Sequence, residues 1–251
     1  MDLRYGSDQD VLITGGTEGI GDATAHAFAA EGVGRIHVVG RKPVPTWIFA
    51  GSEIVSHAVD LSTADGRAQI ADLASRVSIL VNNAGDIPHG GIEHADLAAW
   101  WAAWELKMLG YVALAKAALA GQATAVVNII GVAGERPDAR YVAGSMANAA
   151  LMAMVRALGA YSLDRGKRVV GVNPGAVDTK RVVRAMRQRA AEEFGDPERW
   201  TEYLRRLPGG RMTTPNEVAD TVVFLASPRS RRTTGTIVTV DGGEGSRGGI
   251  I

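Results

Sequence analysis

The stretch Val11-Leu12-Ile13-Thr14-Gly15-Gly16-Thr17-Glu18-Gly19-Ile20-Gly21 decides the fold. A short apolar run rich in β-branched residues ends at Thr14. Glycines follow at 15, 16, 19 and 21, and an alanine-rich segment from Asp22 to Glu31 reads as a helix. A strand that turns through glycines into a helix N-terminus is the geometry that holds a pyrophosphate. Backbone passes close to the ligand, and free N–H groups with the helix dipole favour negative charge. The spacing Gly-x-x-x-Gly-x-Gly differs from the common dinucleotide fingerprint Gly-x-Gly-x-x-Gly.

Outward from this loop, apolar strands alternate with alanine-rich helical stretches. Strands are predicted near 10–14, 35–40, 53–58, 77–81, 123–130, 167–173 and 235–240. Helices are predicted near 19–31, 63–75, 96–120, 144–165, 178–206 and 215–226. This alternation specifies an α/β fold of the doubly wound Rossmann type: a parallel sheet of about seven strands with helices on both faces. No composition break divides residues 1–251, so one domain is expected, with a helical lid near 178–208 on the substrate side.

Composition narrows the function. The chain is 46% hydrophobic and 22% charged, enough for a core and unlike a disordered segment. Its 27 basic and 27 acidic side chains cancel, which argues against a nucleic-acid partner. There is no cysteine, hence no disulfide, thiol nucleophile or cysteine zinc site, and no metal centre is expected. The first residues lack an apolar signal region, and no apolar run is read as long enough to span a bilayer. A cytoplasmic location without a membrane partner is the expectation.

Further motifs follow in order. After the second strand, Gly40-Arg41-Lys42 has no acid where an NAD-type fold holds the ribose hydroxyls, and two cations suit a 2′-phosphate. NADP is therefore expected over NAD. Asn82-Asn83-Ala84-Gly85 ends the fourth predicted strand, Asn173-Pro174-Gly175 the sixth, and Thr234 to Gly243 forms the last strand and turn. With Thr14-Gly15-x-x-x-Gly19-Ile20-Gly21, these motifs resemble the short-chain dehydrogenase/reductase family from about Val11 to Gly243. The resemblance implies an NAD(P)-dependent oxidoreductase acting on a small carbonyl or alcohol substrate. It assigns Thr14, Gly15, Thr17, Glu18, Gly19, Ile20 and Gly21 to the cofactor's phosphates. Arg41, Lys42, Asp60 and Leu61 go to the adenosine end, and Asn82, Ala84, Gly85, Pro174, Gly175 and Thr179 to the rest of the cofactor; Asn82 also ties neighbouring strands.

The family's reaction uses an Asn, Ser, Tyr, Lys tetrad, and here the resemblance stops. The Tyr donates a proton to the carbonyl oxygen, the Ser polarises that carbonyl, the Lys lowers the Tyr pKa, and the Asn holds a relay water. Superposing Ala149-Ala150-Leu151 and Leu158-Gly159 on the family helix Tyr-x-x-x-Lys-Ala-Ala-Leu puts Gly144 at the Tyr position and Asn148 at the Lys position. The same register carries Pro174-Gly175 onto the family's Pro-Gly. Gly131 stands at the Ser position and Lys107 at the Asn position, so all four differ. Tyr141, Lys107 and Asn148 are the candidate catalytic residues, with Tyr141 leaning across Gly144, which offers no side chain to block it.

Bland readings stand beside these: Lys107 reaching water, Tyr141 packed in a loop, Asn148 capping backbone. His89 and His94 read as solvated loop residues. Lys180, Arg181, Arg184, Arg187 and Arg189 read as a solvated helix with Glu192, Glu193, Glu198 and Glu202, although such cations also suit an anionic or thioester substrate. Two functions compete: a reductase with a rearranged acid, and a nucleotide-binding sensor or scaffold without hydride transfer. An epimerase or dehydratase of the longer relatives is disfavoured by chain length. The helix from Gly144, apolar on nearly every side, predicts a homo-oligomer, a dimer or tetramer.

Overall fold

A computed structural model describes residues 3, 5–42 and 44–247. Its centre is one eight-stranded sheet of order β3-β4-β2-β1-β5-β6-β7-β8. The strands are β1 Asp10–Thr14, β2 Arg35–Gly40, β3 Trp47–Phe49, β4 Ser52–Ala58, β5 Ile79–Asn82, β6 Ala125–Ile129, β7 Arg168–Pro174 and β8 Ile237–Val240. Most of them read as unbroken apolar runs because helices cover both faces. Val11, Ile13, Ile36, Val38, Val81 and Val172 face one core with Phe28 and Val222. Leu12, Val39, Leu80, Val126 and Val169 face the other with Ile70, Leu114, Leu151 and Val155.

The helices are α1 Gly19–Ala30, α2 Ala64–Arg76, α3 Leu97–Trp104, α4 Gly110–Ala120, α5 Val142–Ser162, α6 Lys180–Phe194 and α7 Pro215–Ala226. Helices α1 and α7 lie on the first face; α2, α4 and α5 lie on the second. Local chemistry starts them: Pro215 opens α7 behind a capping box made by Thr214 and Glu217.

The expected sheet needs one correction. It has eight strands, and β3 runs antiparallel to β4 at the edge. Phe49 pairs with Ser52 across the two-residue turn Ala50-Gly51, whose φ values are 50° and 88°. Positive φ at both central residues is the hairpin turn that matches strand twist, and a three-residue strand shows no measurable alternation in sequence.

Three helical expectations also change. The predicted helix 96–120 contains a π-helical turn, Glu105–Leu109, between α3 and α4. The predicted helix 178–206 is broken at Gly195, whose φ of 71° ends α6, and continues as a 3-10 segment, Pro197–Arg206. The segment Val142–Arg165 is long and apolar enough by length and composition to cross a membrane, against the expectation that no run reaches that length. Ala143, Ala147, Leu151, Met152 and Val155 of this segment are buried within the protein.

Strand order reverses direction at β1, which has β2 on one side and β5 on the other. Ligands of open α/β sheets bind where the order reverses, at the carboxyl ends of the strands. The Gly15–Gly21 loop and Asn82-Asn83-Ala84-Gly85 both lie at that point.

Candidate active site

The cradle at the β1–β5 crevice is built from backbone. Gly15 and Gly19 take φ of 63° and 59°, conformations that favour glycine. A Cβ at Gly21 would stand 2.2 Å from the Gly15 carbonyl oxygen, so only glycine lets α1 begin this close to the loop. Thr14 is buried, and its Oγ1 accepts hydrogen bonds from Asn83 N at 2.9 Å and Ala84 N at 3.0 Å. Asn83 Nδ2 donates to the Thr14 and Gly15 carbonyls, at 3.0 Å each.

Asn83 is therefore the asparagine that shapes the loop, a role the sequence reading missed. Its signal was its place in the Asn-Asn-Ala-Gly motif. Asn82 is wholly buried and donates to Asn128 Oδ1 at 3.0 Å, so it joins β5 to β6 inside the sheet instead of facing the crevice. Leu61 is likewise turned into the core on one face of the sheet, and Ile20 packs partly against the core on the other. Glu18 is exposed just before α1.

At the far end of the crevice, a Cβ on Gly40 would meet Thr17 Oγ1 at 2.8 Å, so the loop lies against the end of β2. Arg41 and Lys42 are exposed there. Hydrogen bonds from the Ser62 hydroxyl and backbone N–H hold the Asp60 carboxyl below its usual range, with a smaller contribution from Arg41. Arg41 and Asp60 are thus close neighbours. On the other side, a Cβ on Gly19 would lie 3.3 Å from Thr179 Cγ2, while Thr179 Oγ1 caps α6 through Val182 N. Gly175 N donates to the Val240 carbonyl at 3.0 Å, and a Cβ there would come within 2.8 Å of Asp241. Pro174 and Gly175 thereby tie the end of β7 to the end of β8.

Four positions converge beyond Gly85. Lys107 sits in the π-helical turn, anchored by an Arg67–Glu105 ion pair at 2.6 Å and by Arg67 Nη1 on the Glu105 carbonyl. Such turns insert a residue into a helix and recur at functional sites. The Lys107 stem runs along Gly85, where a Cβ would stand 2.9 Å from its Cδ. Its Nζ donates to the Ile130 carbonyl at 2.6 Å and to Asn148 Oδ1 at 2.9 Å. Lys107 is buried, so it does not reach out to water, and burial, helped by the charge of Arg181, pushes its ammonium down to about 7.

Asn148 Nδ2 lies 3.0 Å from where a Cβ on Gly131 would be, and Gly131 has φ of 127°. No hydroxyl side chain occupies that position. At Gly144, a Cβ would fall 2.0 Å from Tyr141 Cε1 and 2.1 Å from Cζ. The Tyr141 ring fills the space a side chain at 144 would take. His89 stacks on that ring at 4.3 Å with 23° between planes, and Gly90 bridges Tyr141 through backbone. Burial raises the Tyr141 phenol above its usual value and holds His89 below its own. The Tyr141 hydroxyl makes no hydrogen bond among the described residues. His94 ends a 3-10 turn, Ile92–His94.

Lys107 and Asn148, on separate helices, are thus in direct contact. Gly131 and Gly144 carry no side chains, and the Tyr141 ring enters the space over Gly144. What remains is one phenol that holds its proton and one buried ammonium beside an amide.

The whole chain has known counterparts. Residues 15–244 match the family model described as enoyl-(acyl carrier protein) reductase. The chain is 32% identical over 246 residues to galactitol 2-dehydrogenase (L-tagatose-forming) of Cereibacter sphaeroides, covering 92% of both. It is also 32% identical over 246 residues to 2-(S)-hydroxypropyl-CoM dehydrogenase 3 of Xanthobacter autotrophicus, covering 93% of this chain and 95% of that one. Among solved structures it is similar to L-sorbose reductase from Gluconobacter frateurii, determined with NADPH and L-sorbose. The TM-score is 0.84 at 27% identity, covering 96% of this chain and 98% of that one. The chain belongs to the short-chain dehydrogenase/reductase family of NAD(P)-dependent oxidoreductases.

Proposed function

We propose that this protein is an NADP-dependent reductase of small carbonyl compounds in which Tyr141 replaces the family's tyrosine as proton donor and Lys107 replaces its lysine. The carrying observation is the Tyr141 ring in the space over Gly144. The cradle fits the cofactor: Gly15, Gly19 and Gly21 exclude side chains from the phosphate loop, and Arg41 and Lys42 meet the 2′-phosphate. Bound NADPH supplies hydride to the carbonyl carbon. Tyr141 gives its phenolic proton to the carbonyl oxygen, completing the alcohol, and regains a proton from water. Lys107 lends positive charge to the oxygen and phenol as negative charge develops, while Asn148 and the Ile130 carbonyl hold its Nζ in place.

NADPH oxidation against a panel of aldehydes and ketones, beside nucleotide titration, tests this reading. Tight NADPH binding without turnover of any of them would favour the sensor or scaffold reading. The bare Gly131 position supports that reading, since no hydroxyl polarises the substrate there.

The cofactor preference has its own test. Replacing Arg41 and Lys42 together by alanine removes both cations from the 2′-phosphate, and phosphate contacts of this kind contribute about 1.5–3 kcal/mol each at most. NADPH affinity is expected to fall at least about tenfold, with NADH affinity changed less than about twofold. Equal losses would refute the assignment.

The protein is also proposed to form a homo-oligomer through α5. Met146, Ala149, Ala150, Ala153, Ala157 and Tyr161 lie exposed on one side of this helix, opposite the side packed on the sheet. Val112 of α4 is exposed as well. A flat alanine stripe lets two helices approach closely, and an apolar surface of this extent calls for cover. Sedimentation at micromolar concentration should give a dimer or tetramer, and Ala153→Arg should shift it to a smaller species. A monomeric parent protein would remove the claim.

A further inference from the structure

The cations of α6 divide into two groups. Toward its end, Arg187 pairs with Glu198 at 3.1 Å and Arg189 with Glu193 at 3.4 Å, as in an ordinary solvated helix. At its start, Lys180, Arg181 and Arg184 form no ion pair among the described residues, and the first turn has no acid. A helix N-terminus favours acids, so cations placed there oppose the dipole and weaken the helix. Local stability gives no reason for them.

Arg181 differs from the other two in where it points. Its Nη1 donates to the Gly85 carbonyl at 3.0 Å, directly beside the stem of Lys107. Its charge also acts on Lys107, Tyr141 and His89. The carboxylates acting on this group are Asp86 and Asp138. Neither pairs with Arg181, and Asp138 is engaged with Arg140. An exposed guanidinium is thus held at the reacting end of the crevice by one neutral carbonyl. That bond is readily exchanged for a charged one, which is roughly twice as strong.

We propose that Arg181 receives a carboxylate of the substrate, so that the compound reduced at Tyr141 is an oxo acid rather than a neutral carbonyl. The assignment rests on the reductase reading for the position of the reacting carbon. The planar fork of a guanidinium matches a carboxylate with two parallel hydrogen bonds, a fit that an ammonium lacks. With one end of the substrate held by Arg181, its carbonyl lies toward Tyr141, on whose phenol the Arg181 charge acts.

The test is binding to the full-length protein saturated with NADPH, read by quenching of nicotinamide fluorescence. The probes are matched pairs: levulinate with methyl levulinate, and benzoylformate with methyl benzoylformate. The wild-type protein should bind at least one acid about tenfold or more tightly than its ester. Arg181→Gln should reduce that preference to about twofold or less, leaving ester and NADPH affinities unchanged, and Arg181→Lys should keep part of it. A thermal melt checks that both variants fold. Equal or undetectable binding of acids and esters by the wild type overturns the proposal. So does a loss of NADPH affinity in Arg181→Gln matching the loss for the acid, which would assign Arg181 to the cofactor's phosphates. Acid preference without turnover would count against the reductase reading and leave Arg181 in place; turnover of neutral carbonyls alone would do the reverse.

Discussion

Tyr141→Phe is expected to lower carbonyl reduction by about 10²–10⁴-fold, the range lost when a positioned proton donor is removed, with NADPH affinity unchanged. The ring of Phe fills the same space over Gly144 and still stacks on His89, so the substitution removes only the hydroxyl. Burial holds the Tyr141 proton on, which suits donation and opposes the reverse use as a base. Reduction should therefore outrun oxidation at neutral pH. Full activity in Tyr141→Phe, on a substrate the parent protein turns over, would show that the proton comes from elsewhere.

The second large effect concerns the exchange of Lys107 and Asn148. Lys107→Asn removes the ammonium, and Asn148→Lys sets two ammonium groups against each other where Nζ and Oδ1 now meet at 2.9 Å. Each single change should cost about a hundredfold or more in kcat/KM, consistent with loss of a buried charged hydrogen bond. The double variant keeps one ammonium and one amide in the pair with their places exchanged. It should recover at least about tenfold over Lys107→Asn, which with about a hundredfold loss for Asn148→Lys alone is a coupling of roughly 4 kcal/mol. If the two losses simply add, the pair does not act as a unit.

The same pair sets a pH dependence. Lys107 is held down to about 7, so its charge is present below that pH and lost above it. The reduction profile should have a limb falling above about pH 7, and Lys107→Met should lack it. For stability the sign follows from proton counts. The unfolded chain keeps this proton up to its ordinary value of 10.5, while the folded chain releases it near 7. Between these values the unfolded state binds more protons, so this residue's contribution to stability rises with pH. Urea titrations at several pH values, parent against Lys107→Met, read it directly.

Much of the architecture was legible because its signals are local. A strand ending in glycines, alternating apolar and alanine-rich stretches, and Asn-Asn-Ala-Gly each declare themselves within a few residues. The hairpin strand Trp47–Phe49 was lost because three residues carry no periodicity, and its turn uses Ala50 where a turn of that kind usually shows Asn or Gly. Asn82 and Asn83 are adjacent and chemically identical. Only strand alternation sends one into the sheet and the other to the loop.

The sequence by itself determined the doubly wound sheet and the glycine cradle at its switch point. Both are written in residue type and spacing along the chain. Tertiary structure alone decided which side chains meet beside that cradle. Lys107 and Asn148 are 41 residues apart, on separate helices, and they meet because a π-helical turn carries the lysine inward past Gly85. Arg181 and Gly85 are 96 residues apart and meet only because α6 begins at the end of β7, across the crevice from β5. Side-chain contacts over such separations depend on where the backbone delivers them, and no local pattern encodes that.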